Sequence, residues 1–228
     1  AVRARKGEQR PGMAQTRARV AELRQRWNEL SLPLLSADTA PVNPFRVTQE
    51  LARALPPGRS IVLHDAGSVR GTTCQHYPAT QPRSFIGFGV QSAMGWSIGA
   101  AIGAKVAEPH KIVCAVIGEE AFNETAMDIE TSVRCNAPVL IVVKNNRAFA
   151  DRDGGNSQKL AKVRFQQGVE IANLATALGA RAFKVDAPSS LASTLAEAIA
   201  SVEGGRTAVI EIETTREKAS LHRLWDKA

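Results

Sequence analysis

From residue 60 to residue 212, short apolar runs alternate with segments of helical period, and this alternation is what most limits the folds open to the chain. Ser60–His64, Lys111–Ile117, Val139–Lys144 and Ala208–Ile212 are near-continuous stretches of Val, Ile, Leu and Ala. A strand with one wet face alternates apolar and polar residues, whereas an uninterrupted apolar run marks a strand covered on both faces. Two further short strands are predicted at Ser84–Phe88 and Arg181–Val185. Helical segments fall between them at Met94–Val106, Glu120–Cys135, Val169–Leu178 and Ser190–Val202. Strands separated by helices pair in parallel, with the helices packed above and below. The sequence therefore predicts an α/β fold: a doubly wound, mainly parallel six-stranded sheet with helices on both faces. With 44% hydrophobic residues in 228, the chain can fill such a core, which excludes wholesale disorder. Aromatic residues are only 5%, so small aliphatic side chains must do the packing, which suits helix–sheet layers better than a β-sandwich.

Upstream of the alternation, a helix is predicted over Met13–Leu30, with Val20, Leu23, Trp27 and Leu30 on one face. Ser31–Pro44 contains Pro33, Pro41 and Pro44 and reads as an extended connector, followed by a helix over Phe45–Leu55. The chain thus divides into a basic helix with connector (1–44), a central domain (45–213) and a tail (214–228). The net charge of +7 is concentrated at the start, where residues 1–26 hold eight basic and two acidic side chains, so the body is nearly neutral. No aromatic residue interleaves these arginines and no helix-turn-helix or zinc-finger spacing follows, so a solvated helix is expected and no nucleic-acid partner. No apolar core of a secretory signal follows the basic arm. Ser84–Ala104 carries no charge, but its five glycines, three serines and one glutamine fit strand, turn and helix rather than a membrane span. Cys74, Cys114 and Cys135 are odd in number and at no ligand spacing. They are expected to be reduced, buried thiols of a cytoplasmic protein, with no disulfide and no zinc site.

In doubly wound folds ligands bind outside the carboxyl ends of the strands. Here those ends carry Asp65-Ala66-Gly67-Ser68, Gly118-Glu119-Glu120-Ala121 and Asn145-Asn146-Arg147, and Gly89–Gly95 opens the small-residue helix. Asp151–Gln167, rich in Gly, Asn, Lys and Gln, is predicted to be a mobile loop. A carboxylate at one strand end and an amide oxygen at the next are hard donors of the kind Mg²⁺ uses beside a diphosphate. Backbone N–H groups at the start of the helix near Glu120 would face the anion. On these residues alone, a second reading stays open: Glu119 and Glu120 simply complement a helix N-terminus and Asn145-Asn146 is an ordinary turn.

The run as a whole is more specific. Gly118-Glu119-Glu120-Ala121-Phe122, then Arg134, Asn136, Pro138 and Asn145-Asn146, resembles the cofactor motif of thiamine-diphosphate enzymes of the acetolactate synthase, pyruvate decarboxylase and 2-hydroxyacyl-CoA lyase superfamily. Met94-Gly95 and Ala100–Ala107 resemble the helix that precedes that motif, and the likeness covers about Phe45 to Ile212, the family's C-terminal pyrophosphate-binding domain. The resemblance implies thiamine diphosphate and Mg²⁺ as cofactors. It implies Glu119, the Asn146 side chain and the Ala148 carbonyl as metal ligands, with Ala66, Gly67 and Ser68 in the first diphosphate loop and Glu120 and Ala121 in the second. It further implies that Met94 wedges between the cofactor rings while its N–H and the Ser92 carbonyl hold the aminopyrimidine. Two residues depart from the pattern. Glu119 stands where the family has aspartate, and Glu120 adds a second carboxylate where diphosphate should lie. At ~5 Å from a phosphate, in an effective dielectric of ~20, such a pair costs a few kcal/mol.

Ala121-Phe122 and Met127-Asp128-Ile129-Glu130-Thr131 look most like the 2-hydroxyacyl-CoA lyase and oxalyl-CoA decarboxylase branch. That branch implies a carbon–carbon lyase or decarboxylase, with an acyl-CoA as possible substrate. Acetolactate-synthase-like carboligation, or a non-catalytic subunit with a degenerate site, are the alternatives. In the family the activating glutamate lies on a separate pyrimidine-binding domain, so no catalytic residue is expected in this chain. The resemblance implies a partner domain or large subunit in at least a two-plus-two assembly, the chain being a small subunit or C-terminal fragment. Ala1–Pro44 is the best candidate to wrap that partner, the alternative being the ordinary interdomain linker of a longer chain.

Overall fold

The computed structural model describes residues 12–148 and 169–216. The polar segment 151–167, the arm before Gly12 and the tail after Arg216 lie outside the described residues. The chain runs α1 (Met13–Leu35), α2 (Pro44–Ala54), β1 (Ser60–His64), α3 (Ser68–Cys74), β2 (Phe85–Ile86), α4 (Trp96–Ala107), β3 (Ile112–Gly118), α5 (Glu119–Thr125) and α6 (Asp128–Arg134). It continues through β4 (Leu140–Asn145), α7 (Ile171–Ala177), β5 (Arg181–Val185), α8 (Pro188–Glu203) and β6 (Ala208–Glu213). The six strands lie in the order β2-β1-β3-β4-β6-β5, and every pair is parallel. This is the doubly wound architecture that the apolar runs predict.

Alternate residues of each strand feed two separate cores. Leu63, Val113, Ala115, Ile117, Ile141 and Val143 pack with α4, α5, α6 and α7 on one face. Val62, Cys114, Val116, Val142 and Ile210 pack with α2, α3 and α8 on the other. Because β1, β3, β4 and β6 are covered on both sides, their runs are mostly apolar, and the buried charged exceptions are Lys144 in β4 and Glu211 in β6.

Several local readings are corrected. The first helix does not stop at Leu30 but continues through Pro33 to Leu35, with the Ser31 hydroxyl donating to the Trp27 carbonyl at 2.7 Å. Trp27 stacks on His76 with ring centroids 5.5 Å apart, which fastens this otherwise exposed helix to the body. The Asn43 side chain accepts the Phe45 N–H at 2.9 Å, and Pro44 opens α2. The single helix expected over 120–135 is two, since Ile129 and Glu130 donate to Ala126 and Met127 three residues back and tighten the turn between them. The second strand shrinks to two residues because the chain presses against His64 at Gly87, where a Cβ would collide with the imidazole. Cys114 is buried as expected, but Cys74, the last residue of α3, and Cys135, just after α6, are exposed. Among the described residues no helix is long and apolar enough to cross a membrane.

Candidate functional site

From β1 the chain steps outward to β2, then returns to place β3 on β1's other flank. Strand order therefore reverses between β1 and β3, and the loops leaving their carboxyl ends open a crevice. Those segments are Asp65–Ser68 and the β3–α5 junction Gly118–Ala121, and Asn145–Ala148 follows at the end of the adjoining β4.

Asp65 organises the first loop from a fully buried position. One carboxylate oxygen accepts the N–H of Ala66 at 2.8 Å and of Gly95 at 3.0 Å, and the other accepts the N–H of Ser97 at 2.8 Å. The carboxylate thus ties the end of β1 to the start of α4, where unpaired N–H groups would otherwise remain. Gly95 itself has φ +78, and a Cβ there would strike the Thr125 side chain, so α4 begins against the end of α5 only because this residue is glycine. Met94, just before, is half-buried and packs against the core, while Ser92 is exposed. Ala66 is buried, Gly67 is exposed and Ser68 begins α3.

β3 passes directly into α5 with no connecting residue, so Glu119 emerges at the strand end and is only 5% exposed. Its Oε1 accepts the Ala148 N–H at 2.8 Å, and the Asn146 Oδ1 accepts the same N–H at 2.9 Å. The two side-chain oxygens expected to bind metal therefore converge on one point beside Ala148. Burial pushes the Glu119 carboxyl above its ordinary pKa; backbone N–H groups of Ala148, Glu119 and Asn146 counter this, and the neighbouring Glu120 charge adds to it. Glu120 is half-buried, and Ala121 is buried, so its backbone is what it can offer. Asn145 has a different task from Asn146. Its amide donates to the Glu211 carboxylate at 2.9 Å and its oxygen accepts the Arg147 N–H at 3.0 Å, which locks the loop to β6.

A hard cation fits this donor set. Glu119 is a buried carboxylate with no cationic side chain within ion-pair distance among the described residues, and a bound cation would relieve that cost. The available ligands are one carboxylate, one amide oxygen and backbone carbonyls, and no cluster of three His, Cys, Asp or Glu side chains occurs among the described residues. Among the described residues, histidine offers no acid–base group to the crevice. His64 is buried between Phe85 and Phe88, and burial holds its pKa below the usual value.

Sequence reasoning missed three contributors. The anchoring role of Asp65 had a weak signal in an acid at a strand end. Lys144 had a clear one, a lone charge in an apolar run. Arg216, which donates to the carbonyls of Asn146 at 3.1 Å and Arg147 at 3.3 Å, had none.

Residues 65–212 match the family described as thiamine pyrophosphate enzyme, C-terminal TPP binding domain. The chain belongs to this family. Its matched region begins at Asp65 and ends with β6, and so contains all three loops of the crevice. Relatives of this C-terminal TPP-binding domain carry different names. A sulfoacetaldehyde acetyltransferase of Alcaligenes xylosoxydans xylosoxydans is 32% identical over 181 residues, covering 77% of this chain and 30% of that protein. A 2-hydroxyacyl-CoA lyase of Arabidopsis thaliana is 29% identical over 177 residues, 73% of this chain and 31% of the relative. A probable acetolactate synthase large subunit of Methanocaldococcus jannaschii is 27% identical over 194 residues, 81% of this chain and 32% of the relative. The TPP-binding domain described here spans about a third of the length of these curated relatives.

Proposed function

We propose that this domain holds the diphosphate of thiamine diphosphate and one Mg²⁺ ion at the ends of β1, β3 and β4. Together with a pyrimidine-binding partner it would form an enzyme that cleaves the bond next to a carbonyl carbon of a 2-hydroxyacyl-CoA. The observation that carries this reading is the convergence of Glu119 Oε1 and Asn146 Oδ1 on the Ala148 N–H, at 2.8 and 2.9 Å, beside the strand-order reversal. Glu119, Asn146 and the Ala148 carbonyl hold the ion. The backbone of Ala66, Gly67 and Ser68, with that of Glu120 and Ala121, faces the diphosphate. Met94 and the Ser92 carbonyl orient the rings. When bound, the cofactor supplies an activated carbon that stores the electrons of the broken bond. This chain's share is to bind, orient and exclude water from one side; the activating glutamate and the cover for the other side belong to the partner.

The acyl-CoA preference rests on Ala121-Phe122 and Met127–Thr131, of which Ile129 is fully buried and serves packing. Met127 is 68% exposed, so packing does not explain it. Acetolactate-synthase-like carboligation is the second reading, supported by the synthase relatives. Calorimetry of the complete assembly with thiamine diphosphate, with and without Mg²⁺, tests the site. Failure to bind in either condition would leave a non-catalytic subunit. Turnover of 2-hydroxyacyl-CoA, pyruvate or sulfoacetaldehyde by that assembly then separates the substrate classes.

A further inference from the structure

Lys144 interrupts the apolar run of β4, and its side chain enters the core face shared by α2 and α3. It is 3% exposed, and no carboxylate approaches it among the described residues. Its Nζ donates instead to three threonine hydroxyls: Thr48 at 3.0 Å, Thr72 at 3.1 Å and Thr73 at 3.4 Å. The Thr72 hydroxyl in turn donates toward the carbonyl of Ser68 at 3.1 Å, shared with that of Val69 at 3.3 Å. A chain of two hydrogen bonds therefore runs from β4 to the loop that begins α3. Lys144 is registered beside Gly118 of the neighbouring β3 and stands two residues before Asn146 in the chain. A cavity of about 10 Å³, room for one water, is bounded by Ser68, Thr72, Lys144, Asn146 and Thr214. It lies between the first and third loops of the crevice.

Fold stability alone does not call for a lysine here. An ammonium surrounded only by neutral hydroxyls loses its hydration without gaining a counter-charge, and a methionine of similar length would fill the space with no such cost. We propose that Lys144 is a positioning residue for diphosphate binding: through the Thr72 hydroxyl it fixes the backbone of the Ala66–Ser68 loop. The inference rests on the cofactor reading above.

The test compares Mg²⁺–thiamine diphosphate affinity and thermal stability in the complete assembly for the parent, Lys144→Met, Thr72→Val and Thr72→Ser. The expected result is that Lys144→Met melts at or above the parent temperature yet binds about tenfold more weakly, the effect of losing one hydrogen bond in the chain. Thr72→Val should weaken binding similarly, and Thr72→Ser, which keeps the hydroxyl, should restore it. A purely structural lysine would lower melting temperature and affinity together, and that result overturns the proposal. Parent-like affinity in a well-folded Lys144→Met also overturns it. If Lys144→Met does not fold, equal affinities of the Thr72→Val and Thr72→Ser proteins overturn it on their own. Absence of binding by the parent is a failure of the cofactor reading itself and is seen before any variant is compared.

Discussion

Glu119 and Lys144 are both buried charges, and each leaves a distinct signature against pH. The folded-state pKa of Glu119 is raised, so its ionised form is disfavoured by folding. The metal-free protein gains nothing from this carboxylate above the unfolded pKa and loses stability as pH rises through the raised folded value. Glu119→Gln should therefore raise the melting temperature of metal-free protein at pH 7, with the advantage gone at pH 4, while weakening Mg²⁺-dependent cofactor binding in calorimetry. Glu120→Gly, by contrast, should leave that binding unchanged or stronger, since it removes a carboxylate from the proposed diphosphate site. Lys144 runs the other way. Burial pushes its pKa from the usual 10.5 down to about 7, so between these values the unfolded chain takes up a proton that the folded chain does not. Stability should fall as pH drops from 10.5 to 7 and flatten below, a difference on the order of 5 kcal/mol. Urea unfolding of Lys144→Met should accordingly show its largest gain over the parent at pH 7 and little above pH 11.

At the level of elements, the strands were legible because burial on both faces writes itself as an unbroken apolar run. Ser60–His64 and Arg181–Val185 match their predicted bounds, and β3, β4 and β6 differ by one residue at their ends. The helix α3 was not legible. Its sequence, Ser-Val-Arg-Gly-Thr-Thr-Cys, has a central glycine and β-branched residues of low helix propensity, and it forms because Val69, Thr72 and Thr73 are buried against β1, β3 and Lys144. The site divides in the same way. Glu119 and Asn146 stood out through their spacing at successive strand ends, but the bonds from Lys144 to Thr48 and Thr72 span 96 and 72 residues, which no local pattern records. The junction of α4 with α5 offers a test of close approach. Gly95→Ala should destabilise the fold by at least ~1–2 kcal/mol from its left-handed backbone alone, with the clash against Thr125 added. A second change, Thr125→Ala, should recover the clash part and not the backbone part in chemical denaturation.

For the whole molecule, charge and cover are unevenly distributed. The body is nearly neutral while the first 26 residues hold most of the net positive charge, and α1 is exposed along most of its length. If this region wraps a partner, association should weaken with added salt. If the site is shared with a pyrimidine-binding partner as proposed, calorimetry on the isolated chain, with its oligomeric state followed by size-exclusion with light scattering, should show no binding of thiamine diphosphate. A well-behaved monomer that binds the cofactor unaided would refute the half-site reading.

The position of β6 has a consequence for how the domain can be made. It is the last of the described strands in chain order, yet it lies between β4 and β5 and bonds to both along their lengths. Until residues 208–213 leave the ribosome, β5 has no neighbour to pair with and β4 keeps an open flank of apolar residues. Parallel sheets already fold slowly because their contacts are far apart in sequence. Here the delay is concentrated at one insertion, which makes the nascent domain most prone to aggregation just before it is complete.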